Sequence, residues 1–298
     1  QATAGRKNIL NNYLKLQGIS FKTFSLDALL KDSTPFSARM VVYQLTSGSI
    51  RLDTLTFSLR QQHKQLNYLL RLANHPGNLD NVGMIALYGN IAGDRAILNC
   101  LQKSRSGEEG FRFGLQGVLS DSTVTVSMFP ENPTFGSQQW SVNPYNHIVY
   151  HIGKDIHADF LLTHDNQRVS LRTTDHTEHG PLALDIAGID IGKTLALFPT
   201  PPPIDGRFDT HIVLQQQDTT GTSLEVGGNI NVTDLQYDKR RVGTIGLGFD
   251  YRMEKGSGQQ FDAKLSLDST EVLSARGSYT RSEERRVGKE CRSRWSPY

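Results

Sequence analysis

The side chains best suited to chemistry crowd into one stretch. Six of the nine histidines fall at His147, His151, His157, His164, His176 and His179, interleaved with Asp155, Asp159, Asp165, Asp175 and Glu178. Imidazole and carboxylate together suit a divalent metal, which needs three or four donors converging within about 2–2.5 Å of one ion. The spacing argues against such a site. His147 and His151 lie four residues apart on an expected strand, about 13 Å, and cannot share an ion directly. The tighter Asp175–His179 run falls in an expected loop. The stretch therefore reads as a solvated polar face, and no metal is expected.

Residues 187–194, AGIDIGKT, match the loose phosphate-loop pattern with Ala187 for its first glycine. That loop must open a helix whose N–H groups cradle the phosphates. Here Ile189 and Ile191 read as extending the alternation of Leu182, Leu184 and Ile186, and only four residues separate Thr194 from Pro199. No nucleotide is expected. No Gly-x-Ser-x-Gly, His-Glu-x-x-His or paired-cysteine motif occurs. Catalytic residues and a cofactor are therefore not expected, and the chain does not read as an enzyme. Cys100 alternates with Leu98 and reads as a small core hydrophobe; Trp140 in QQWSVNPYN reads as a packing anchor.

The elements that must position these residues are almost all strands. From about residue 38 to 279, apolar side chains recur at every second position. A period of two places them on one face of a sheet and their polar neighbours on the other. The face predicted from this pattern comprises Phe111, Phe113, Leu115, Ile156, Phe160, Leu162, Leu224, Val226, Ile230, Val232, Ile245, Leu247 and Phe249. Turn signals such as Gly93-Asp94, Ser120-Asp121-Ser122 and Asp165-Asn166 leave short gaps, which favour antiparallel neighbours. The expected fold is all-β, a long antiparallel sheet of successive hairpins with few short helices. Within the mixed entry segment 1–37, a helical turn or two is expected over Asn8–Leu16 and a short helix over Ser25–Lys31. A first sheet section spans 38–198. The proline run near 199–209 marks a boundary, and a second section, 199–280, continues the same sheet. Gly89-Asn90-Ile91 and Gly228-Asn229-Ile230 close similar hairpins, which suggests a repeated unit.

Residues 281–298, RSEERRVGKECRSRWSPY, break the pattern and resemble a translated sequencing adapter. Without them Lys and Arg fall from 32 to 26 and Asp and Glu from 30 to 27, so the formal charge moves from +2 to −1. The basic balance then gives no argument for nucleic acid. Cys100 alone supports no disulfide framework. The absence of an initiating Met and the adapter-like end suggest a fragment of a longer chain. Deleting residues 281–298 is expected to leave the thermal midpoint unchanged; a drop of several degrees in a melting curve would show that they belong to the fold.

A greasy face of this size needs a cover. Each buried side chain contributes roughly 1.5–3 kcal/mol, so leaving the whole face wet is costly. A second sheet would make a sandwich, a bilayer outside would make a barrel, and curling would make a trough. Aromatics at 8% argue against the girdles of a membrane barrel.

Two stretches carry a family resemblance. One is ENPTFGSQQWSVNPYNHIVYH at 131–151, a proline-containing loop leading to a tryptophan strand. The other is 198–251, where Leu235, Tyr237 and Val242-Gly243 follow a small-residue step. These resemble the repeating units of the AsmA/TamB superfamily. The resemblance implies a taco-like β-trough with an apolar interior in the periplasm, anchored to the inner membrane through a segment outside this chain. It implies a non-enzymatic role in carrying phospholipid acyl chains between inner and outer membranes, with an outer-membrane assembly barrel protein as partner. A tandem β-sandwich adhesin or binding module and an outer-membrane barrel fragment are the alternatives.

Overall fold

The computed structural model describes residues 1–31, 34–48, 50–74, 82–129, 131–174, 180–195, 202–216, 223–254 and 258–279. The Asp175–His179 run, the start of the proline-rich segment and the adapter-like tail lie outside them. The chain opens with β1 (Ala2–Gly5), α1 (Ile9–Leu16), β2 (Ile19–Ser20) and β3 (Thr23–Lys31). Long hairpins follow: β4 (Thr34–Ser47), β5 (Ile50–Gln62), β6 (Gln65–Asn74), β7 (Met84–Ala92), β8 (Arg95–Lys103), β9 (Glu109–Leu119) and β10 (Thr123–Met128). An insertion carries β11 (Thr134–Phe135), β12 (Gln138–Gln139) and β13 (Ser141–Val142). The hairpins resume with β14 (His147–His151), β15 (Ile156–His164), β16 (Gln167–Thr173) and β17 (Leu182–Asp190), then α2 (Ile191–Leu195). The last five strands are β18 (Ile204–Gln216), β19 (Ser223–Tyr237), β20 (Arg240–Glu254), β21 (Gly258–Leu267) and β22 (Thr270–Tyr279).

Among the described residues all 22 strands belong to one antiparallel sheet, which does not close on itself. The expected all-β trough is what forms. Two-residue loops at Asp238-Lys239 and Asp268-Ser269 hold both residues at positive φ, the geometry whose twist matches paired strands. The sheet runs unbroken past the proline-rich segment, because β17 pairs with β18 from Leu182↔Leu214 to Asp190↔Arg207.

The pairing register sets the apolar face. One row runs Ala28, Ala38, Leu59, Tyr68, Gly89, Leu98, Leu115 and Met128 across β3 to β10. A second runs Leu162, Val169, Ile186, Thr210, Ile230, Leu247, Leu265 and Leu273 across β15 to β22. Gly117, Val126, Ile148 and Ala158 join the two halves on the same face. The opposite face carries directly opposed charges. Arg172 pairs with Asp159, His211 with Asp185, Arg252 with Glu225 and Arg276 with Asp262. Each pair sits at a cross-strand register position, so a slip by one residue would bury all four pairs against the apolar face.

The sheet curls toward its apolar side. Gly89 and Gly228 both lie on that face. A Cβ on Gly89 would stand 1.7 Å from the Ile97 carbonyl oxygen of β8, and one on Gly228 would stand 2.2 Å from the His211 carbonyl oxygen of β18. The neighbouring backbones thus fold inward over these two positions, an approach only glycine permits. They are the glycines of the two Gly-Asn-Ile signatures.

Two expectations fail. Ser25–Lys31 is not helical; it belongs to β3, paired with β4 from Thr23↔Tyr43 to Lys31↔Thr34. Its alternating Leu26 and Ala28 complete the apolar rows, and pairing overrides the local helical preference. The alternation also does not continue from Ile186 through Ile189 to Ile191. A bulge at Gly188, φ 69°, inserts an extra residue that returns Ile189 to the apolar face, and Ile191 opens α2.

Candidate binding trough

The concave face is widest open at its ends and best filled in the middle. Among the described residues only ten apolar side chains are buried, too few for the dry interior of a closed sandwich of this length. Met128, Trp140 and Leu162 form a central cluster, against which Phe113, Leu115, Phe135, Phe160 and Val169 pack. Toward the edges, Leu26 is 36% exposed on β3, and Phe261 and Leu273 are 47% and 61% exposed on β21 and β22.

Trp140 reaches the middle because the chain between β10 and β14 makes an excursion in which β11 pairs with β9 and β13 with β15, interrupting the β10–β14 and β14–β15 ladders. Two asparagines hold that break. Asn146 accepts from the Met128 N–H at 2.6 Å and donates to the Met128 carbonyl at 2.8 Å. Asn143 accepts from the Leu161 N–H at 2.9 Å and donates to the Asp159 carbonyl at 3.2 Å. Each side chain substitutes for a missing neighbouring strand, so the ladder stays satisfied. Within the insertion, Phe135 stacks on Phe113 with centroids 5.4 Å apart and meets Trp140 edge-on at 6.2 Å. The Trp140 ring N–H donates to the Phe135 carbonyl at 3.4 Å.

Beside Trp140 lies a cavity of about 360 Å³, walled by Phe111, Phe135, Leu162, Val169, Ile186 and Phe208. Gln138, Gln167, Lys193 and Thr194 also line it. A slot walled mainly by apolar side chains fits a hydrocarbon chain better than a polar solute. The lysine of the AGIDIGKT stretch faces a carboxylate. Asp190 accepts from the Lys193 N–H at 2.8 Å and lies 3.5 Å from its ammonium; its carbonyl accepts from the Thr194 hydroxyl. Lys193 and Thr194 thus find their partner within the turn itself, on a helix five residues long.

All thirteen residues expected from alternation share the concave face. Phe111, Phe113 and Leu115 stand on β9, and Ile156, Phe160 and Leu162 on β15. Leu224, Val226, Ile230 and Val232 oppose Met253, Tyr251, Leu247 and Ile245 in the β19–β20 ladder, with Phe249 opposite Gly228. Leu162 sits in the filled centre and the β19–β20 residues in the open part. The alternation did not single out Phe57, Leu70 and Leu87, which extend the face across β5 to β7, and Cys100 continues it on β8 as its alternation with Leu98 suggested. Burial pushes the Cys100 thiol up in pKa, so it stays a neutral hydrophobe.

Comparison with protein-family models, curated proteins and solved structures returns no match. Among the described residues no helix is long and apolar enough to cross a membrane.

Proposed function

We propose that the chain is a non-enzymatic conduit for amphiphilic lipid, in which acyl chains lie along the concave face while head groups stay at the open side. The observation that carries this reading is the apolar face kept in register from β3 to β22 with, among the described residues, no second sheet over it. Hydrocarbon is the cover such a face can take without unpaired polar groups, because the backbone is already satisfied in the ladder. The resemblance noted above adds a periplasmic setting, anchoring at the inner membrane, phospholipid as cargo and an outer-membrane barrel protein as partner. No nucleic acid or nucleotide enters the reading.

The test uses photoreactive residues in the purified chain mixed with phospholipid vesicles. Crosslinks to lipid are expected from Ile230, Leu247 and Phe249, and none from Arg112 or Glu225 on the charged face. Leu247→Asp should abolish lipid pick-up while leaving the circular dichroism spectrum intact, since this half-buried position keeps access to water. Phe160 is a poorer choice, because it packs on the central cluster. Equal labelling of both faces, or none from the concave one, would overturn the reading.

A further inference from the structure

We infer that His151, Asp155 and His157 form a binding site for one divalent transition-metal ion of the zinc class, at the tip of the β14–β15 hairpin. Strand spacing hid this site. His147 and His151 cannot meet along one strand, but the turn carries the chain back, and Val149↔His157 pairing sets His151 and His157 as diagonal neighbours on the charged face.

Three donor atoms, one from each residue, lie within 4.8 Å of one another. The Nδ1 of His151 is 2.7 Å from one Asp155 oxygen, and the Nε2 of His157 is 3.1 Å from the other. Donors around a tetrahedral zinc ion stand about 3.3 Å apart, given bonds of about 2.0–2.1 Å. The trio therefore needs only small side-chain rotations to close on an ion. The imidazole rings are edge to face, 85° between planes and 5.4 Å between centroids, so they do not stack against each other.

The turn builds the carboxylate into place. The His151 N–H donates to the Asp155 carbonyl at 2.9 Å, and the Lys154 N–H donates to the His151 carbonyl at 2.9 Å. Asp155 is only 8% exposed, an uncommon position for a carboxylate in so open a fold. A simple ion pair does not account for the cluster, because the His151 Nδ1 is buried and has no aligned hydrogen-bond partner despite its short distance to Asp155. A metal would use that lone pair directly. Two nitrogens and one oxygen leave a fourth position for water, a donor set that suits zinc or cobalt over magnesium or calcium. His151 also pairs with Thr123, so an ion here would clasp β14 to β15 where the two halves of the sheet join.

The experiment titrates the full chain, stripped with chelator, with Zn²⁺ by calorimetry and with Co²⁺ by visible absorption. One equivalent is expected, with the strong visible bands of four-coordinate cobalt and a raised thermal midpoint at saturating Zn²⁺. His157→Gln and His151→Gln should each weaken binding at least about a hundredfold. His147→Gln and His164→Gln should not. Both sets should keep the wild-type circular dichroism spectrum, which separates loss of a ligand from loss of fold. Undetectable binding at millimolar metal, or binding unchanged in the His151→Gln/His157→Gln double variant, would overturn the assignment.

Discussion

Trp140→Ala lowers the thermal midpoint by about 10 °C, the largest loss expected from any single apolar truncation in this chain. Trp140 is 6% exposed and joins Met128 and Leu162 in the one buried cluster among the described residues. Removing a large buried aromatic costs about 3–5 kcal/mol in transfer and cavity terms. For a fold of this size that converts to roughly 2–4 °C per kcal/mol. The loss should be local as well as large. The insertion holding Trp140 is tied to the sheet by Asn143 and Asn146, so hydrogen exchange should quicken at Met128, Leu161 and their neighbours before it does in β19–β22. Trp140→Phe should recover most of the stability. A melting curve unchanged by Trp140→Ala would mean that the centre of the trough is not a packed core.

Gly228→Val should be comparably damaging, by about 4 kcal/mol or more, for a different reason. The new Cβ would collide with the His211 carbonyl at 2.2 Å and the Ile212 Cα at 2.8 Å, both backbone atoms that cannot rotate aside. Relief requires β18 and β19 to flatten, which opens the curl. The matched control is Gly248→Val on β20, where nothing stands within 4 Å of the added carbon. There valine should be neutral or mildly stabilising, because β-branched residues suit an unobstructed strand. Chemical denaturation of the two variants side by side is the measurement. Equal effects would show that the inward fold at Gly228 carries no strain-sensitive curvature.

The trough face was readable because alternation is a property of each strand alone. Phe111, Phe113 and Leu115 announce their common side without knowledge of any neighbour. What joins one strand to the next was not readable. The bulge at Gly188 shifts parity by one residue; the three-residue step from Ile186 to Ile189 brackets the shift, but only the β17–β18 pairing shows the strand running on through it. Ser25–Lys31 looked locally helical, and only its pairing with β4 makes it a strand. The His151–His157 pair escaped for the same reason, because a turn places the two side by side across a ladder. The sequence does hold one cross-strand hint, the repeated Gly-Asn-Ile. Its glycines prove to be the two where adjacent backbone crowds in most closely.

Apart from the first few strands and the insertion before β14, every strand pairs with its immediate successor in the chain. Such a ladder asks for little loop closure at each step, since each new strand needs to find only the edge left by the last. Assembly can then proceed like a zip, in the order in which the strands emerge from a pore or a ribosome. Disassembly has the same grain. A chain drawn from its C-terminal end should release β22, then β21, then β20, in a staircase of small forces. The staircase should break only where Trp140 and its two asparagines bind the middle together.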